Sequence, residues 1–106
     1  MPRYLWKVQY TTEGARGVLA EGGSARRAAI VAMVESVGGT IESCDFALGT
    51  HQLYVIGSVP DEMAAATLAL RTAASGYARS ESIELLTPEQ IDEAVRRDTE
   101  YRAPGQ

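Results

Sequence analysis

The chain has one cysteine, Cys44, and one histidine, His51, among its 106 residues. A lone thiol excludes an intrachain disulfide and fits a reducing, cytoplasmic compartment. One His, one Cys and scattered carboxylates make no ligand-spaced set, so no metal is expected, and no cofactor motif is present. Positive charge is also scarce: 10 Lys and Arg stand against 14 Asp and Glu, a net charge of −4. Nucleic acid calls for a basic stripe that displaces counterions from phosphates. Neither nucleic acid nor an anionic membrane surface is therefore an expected partner, although a local basic cluster is enough for one small anion. No run approaches the roughly twenty apolar residues of a membrane span. The opening "MPRYLWKVQY" is interrupted at Lys7 and lacks the apolar centre of a signal peptide.

What is present fits one domain with a modest core. Apolar residues make up 45%, and small domains bury a smaller share of their surface, so an apolar face left over favours oligomers. Residues 1–97 are read as the domain and 98–106 as a polar tail.

The elements follow from changes of period. In "RYLWKVQY" (3–10), Tyr4, Trp6, Val8 and Tyr10 alternate with Arg3, Leu5, Lys7 and Gln9, the pattern of a strand with one buried face. "TTEGARGVLAEGG" reads as a short helix with Thr12 as N-cap, ended by Gly22 and Gly23. "SARRAAIVAMVESVGG" spaces Ile30, Val34 and Val37 by four and three, an amphipathic helix started by Ser24 and stopped by Gly38-Gly39. Two alternating runs, Cys44-Phe46-Leu48 and Leu53-Val55, flank Gly49-Thr50-His51 and predict a hairpin with its tip near His51. Pro60 and Asp61 open a further helix closed by Gly76, and "YARSESIELL" is a fourth strand. Thr87, Pro88 and Glu89 begin a terminal helix. The order strand, helix, strand, strand, helix, strand predicts an α+β, ferredoxin-like βαββαβ sandwich with an extra C-terminal helix. Helices on one face leave the other face of the sheet open.

The segments "YTTEGARGVLAEGGSARRAA" (10–29), "VESVGGTIES" (34–43), "FALGTHQLYVI" (46–56) and "SGYARSESIELLTPEQIDEA" (75–94) together resemble the GYD-domain family. The resemblance implies a homodimer in which two open sheet faces meet as a dimeric α/β barrel, and it implies no assigned activity, since one fold hosts many functions. The chain departs from the family where Gly-x-Tyr-Asp is usual and Gly49-Thr50-His51-Gln52 stands instead. An amide does not titrate, so any proton transfer at this place moves to His51.

His51 and Tyr54 are the candidate acid–base groups, because a histidine titrates near neutral pH. The alternative for His51 is a solvated turn residue. Lys7, Gln9, Asp45, Gln52 and Arg79 are candidate ligand contacts on the open face, with Glu81 following Arg79 there on the fourth strand, where a half-apolar pocket with a few polar groups suits a small organic molecule. Arg26 and Arg27 in "EGGSARR" are candidate anion contacts at a helix start, or else exposed ion-pair partners; the Gly-Lys-Ser/Thr of a P-loop is missing. Cys44 alternates with Phe46 and reads as a small packed hydrophobe. Two functions follow. One is a homodimer that binds a small, partly apolar molecule in its barrel, with or without cofactor-free acid–base chemistry. The other is a non-catalytic sensing or assembly module whose sheet face serves dimerisation alone.

Overall fold

A computed structural model describes residues 1–106. Its elements are β1 (Arg3–Tyr10), α1 (Thr12–Glu21), α2 (Gly23–Ser36), β2 (Thr40–Phe46), β3 (Leu53–Ser58), α3 (Glu62–Ser75), β4 (Ala78–Leu85) and α4 (Pro88–Val95). The four strands form one antiparallel sheet in the order β2-β3-β1-β4, the ferredoxin-like arrangement predicted from the periods. The family-like pairing of two sheets concerns a second copy and is taken up below.

The alternation in β1 sorts the two faces of the sheet. Tyr4 and Trp6 are buried and their rings stack, with centroids 5.6 Å apart and planes 17° from parallel. They pack with Val34 of α2, Leu53 and Val55 of β3, Val59, and Ala65 and Leu68 of α3. Only 12 of the 106 residues are buried, so this core is small for the chain that it must hold.

The helix starts show where local chemistry set the boundaries. Thr11, not Thr12, caps α1, because its hydroxyl accepts from Gly14 N at 3.2 Å. The Thr11 hydroxyl also donates to Gly76 O at 2.8 Å, which ties α1 to the turn between α3 and β4. Gly22, not Ser24, precedes α2, with φ of 84° that favours glycine. Asp61 caps α3 through Ala64 N, and Gly76 closes it in the left-handed region. Thr87 and Gln90 form a reciprocal capping box with Pro88 at the first turn of α4.

The strand predicted to run to Leu48 stops at Phe46, which pairs with Leu53. A six-residue loop, 47–52, replaces the tight turn; Ala47 N donates to Gln52 O at 2.8 Å and closes it. Leu48 is consequently fully exposed. A bulge between Ile41 and Ser43 shifts the β2 register on its way to this loop.

Helix α2 packs over the outer strand β2, and α3 over the outer strand β4. The middle strands β1 and β3 therefore floor a gap between the two helices. No residue of α4 is buried. The chain measures 56 × 33 × 23 Å with a radius of gyration of 16.9 Å, against about 13 Å for a compact chain of this length. No helix is long and apolar enough to cross a membrane.

Candidate functional site

The sheet carries two distinct sites, one on each face. On the open face, a single row crosses all four strands. Asp45 of β2 lies opposite Tyr54 of β3, Tyr54 opposite Lys7 of β1, and Lys7 opposite Glu81 of β4. Residues in such register are direct side-chain neighbours on one face. The loop folds His51 over this row: its Nε2 lies 3.6 Å from Glu81 Oε2, and Lys7 Nζ reaches the same oxygen at 3.7 Å. Both distances are too long for strong hydrogen bonds, and the Lys7–Glu81 distance is that of an ion pair. The His51 side chain keeps 21% of its exposure, so the ring is turned onto the sheet. Gln9 and Arg79 form the adjoining row, and Ser43, Ile56, Leu5 and Ile83 make a mostly apolar row on the other side. At the margin, Arg3 donates both Nε and Nη2 to the Glu42 carboxylate at 2.9 and 2.8 Å, which holds that carboxyl below its ordinary range.

Of the residues expected on this face, Lys7, Gln9, Asp45, Tyr54, Arg79 and His51 share it. Glu81, the carboxylate on which His51 and Lys7 converge, is the group that joins them. Its parity with Arg79 in β4 was the signal for it. Gln52 plays another part. Its Oε1 accepts from Tyr10 N at 2.9 Å, and its Nε2 donates to Gly49 O and Thr50 O at 3.2 and 3.0 Å. The amide is therefore committed to shaping the loop that presents His51.

The second site lies on the helix face. A cavity of about 280 Å³ opens between α2, α3 and the sheet. Trp6, Val8 and Tyr10 of β1 and Leu53 and Val55 of β3 floor it; Ile30, Met33 and Val34 wall one side, Leu68 and Ala69 the other. Arg26, Arg71, Thr72, Ser75, Tyr77 and Ser80 supply its polar groups. Apolar walls with a few polar groups are the make-up of a small-molecule pocket, and this volume stands at the small end of the range. The cavity thus sits on the opposite side of the sheet from the face where a ligand was expected. Arg26 alone of the predicted contacts lines it. Arg27 lies instead beside Cys44, Asp45 and Phe46 in a shallow depression.

Two donors on the cavity residues are buried and unpartnered, the Trp6 indole Nε1 and the Arg26 Nε. Arg26 Nε has Glu21 Oε1 at 3.4 Å, an ion pair without a hydrogen bond. An unmade buried donor costs about 1–3 kcal/mol, and neither atom is reached from the cavity in this conformation. Burial pushes the Tyr10 phenol above its ordinary value, and the nearby Arg26 charge opposes that rise. Burial likewise raises the Cys44 thiol, with Asp45 adding to the effect, which leaves it a protonated packing group. Sequence periodicity marks Trp6 and Tyr10 only as core, because a floor residue and a packed residue share the same alternation.

Comparison with curated proteins finds no match. The GYD-domain family model matches residues 4–95, from the first core aromatic of β1 to the last residue of α4. Sheet, cavity and terminal helix all lie within that span, and the chain belongs to the GYD-domain family.

Proposed function

We propose that the protein is a homodimer that binds a small, partly apolar organic molecule in the cavity between α2, α3 and the sheet. The cavity carries this reading: about 280 Å³ of mainly apolar space over β1 and β3, with Arg26 and Arg71 as the charged groups of its lining. The space is open to solvent between the two helices, so a small molecule has a way in to its apolar floor. Trp6 is the only tryptophan, and its emission reports the cavity floor. Titration with cyclohexanol is expected to change that emission saturably, and Ala69→Phe, which fills the space, to abolish the change while circular dichroism stays the same. A response that never saturates, or that survives in Ala69→Phe, overturns the reading.

The dimer is supported by two unpartnered surfaces of the same chain. The open face carries Leu5, Tyr54, Ile56 and Ile83 among charges of both signs, a mixture that a two-fold related copy can match with its own. Leu86, just after β4, and Ile91 and Val95 of helix α4 add to it, all exposed. Pairing through the open face places the Asp45–Tyr54–Lys7–Glu81 row and His51 inside the barrel. Light scattering at micromolar concentration is expected to give twice the chain mass of 11.4 kDa; a monomer alone refutes it. The convergence of His51 and Lys7 on Glu81 favours a second reading, proton transfer within the barrel. On that reading, turnover or ligand uptake follows a pH profile that His51→Gln removes, and an unchanged profile rejects it.

A further inference from the structure

The charges around the cavity are of one sign. Arg26 of α2 and Arg71 of α3 line it, and none of its lining residues is Asp, Glu, Lys or His. This is notable in a chain whose carboxylates outnumber its cations. Glu21 pairs with Arg26 from outside the lining, and its single charge leaves the guanidinium without a hydrogen bond. Arg71 has no carboxylate within ion-pair distance. Both charged groups of the lining are thus guanidinium donors, and the groups that satisfy donors are oxygen acceptors, most strongly when charged.

Resting on the cavity reading above, we infer that the ligand is a small organic carboxylate. Its body, of one or two rings, lies on the apolar floor of Trp6, Val8 and Val55, and its acid group is met by the guanidiniums of Arg26 and Arg71. A phosphate ester fits less well, because a second full charge needs more donors than two arginines beside mainly apolar walls provide.

Three probes with the same body separate the terms: phenylpropionate, phenylpropanamide and phenylpropylamine. Calorimetry, with Trp6 emission as a second readout, is expected to show the acid binding about tenfold or more tighter than the amide, the size of a charge-assisted contact. The amine is expected to bind weakest. Arg26→Gln is expected to remove most of the acid's advantage by weakening the acid far more than the amide, and Arg26→Lys to restore part of it. Because the Arg26 side chain is one-third exposed, these variants keep the fold, and circular dichroism checks this. Equal binding of acid and amide overturns the carboxylate inference but leaves the cavity reading standing. An acid preference that persists in Arg26→Gln and in Arg71→Gln overturns it as well. Failure of all three probes, together with an unsaturable cyclohexanol response, sinks the cavity reading itself.

Discussion

Both ends of the Gln52 side chain are bound to backbone, and this decides what the His51 loop is. Gln52→Ala leaves Tyr10 N and two loop carbonyls without their partner and is expected to cost about 1–3 kcal/mol in urea unfolding. His51→Gln changes a side chain whose one polar contact, to Glu81, is long, and is expected to cost no more than about 0.5 kcal/mol. If the two variants unfold alike, the loop is not organised by Gln52. A second residue-scale expectation concerns Tyr10. Its phenol is raised in the folded protein, chiefly by burial, so the folded state holds that proton where the unfolded chain has released it. Stability is therefore unaffected below the ordinary tyrosine range and falls as pH climbs from that range towards the raised folded value. Tyr10→Phe is expected to reduce this alkaline loss in thermal melts. An equally steep loss in the variant assigns it to other groups.

At the scale of elements, α1 is fixed to the sheet by close approach. A Cβ on Gly14 would stand 1.9 Å from Tyr77 O, and the obstacle is backbone that cannot swing aside. Gly14→Ala is therefore expected to destabilise by about 1–3 kcal/mol, measured by denaturant titration, whereas Gly17→Ala meets nothing within 4 Å and is expected to stabilise α1 slightly. These elements were largely legible in the sequence. The alternation of Tyr4, Trp6, Val8 and Tyr10 predicted β1 and its buried face, and Thr87-Pro88 predicted the start of α4. The Thr11 cap was harder to read, because two adjacent threonines offer the same chemistry and only the approach of Gly76 O selects one. The cavity was not legible. It arises from the placement of α2 and α3 over the outer strands, and the same Ile30, Val34 and Leu68 would serve a closed core equally well. The open-face row was half legible: parity places Lys7 with Gln9, but only the strand order brings Asp45, Tyr54 and Glu81 into line with them.

On the scale of the whole molecule, the elongated shape and the bare surface of α4 point the same way. A helix with its own capping box but no buried residue is formed locally and left without tertiary cover. Ile91→Ser with Val95→Ser is expected to weaken homodimer association in sedimentation equilibrium while leaving the unfolding of the isolated chain within about 0.5 kcal/mol. Unchanged association assigns α4 no part in pairing.

Strand β1 belongs to both sites at once. Trp6 and Lys7 are neighbours in sequence that point to opposite faces, one to the cavity floor and one to the row beneath His51. On the proposed function, a ligand that changes the twist of β1 acts on the face through which pairing is proposed. Any coupling free energy between the two is shared without direction. By whatever factor the ligand tightens the pair, pairing tightens the ligand by the same factor, and the concentration of the protein itself becomes a control on its affinity.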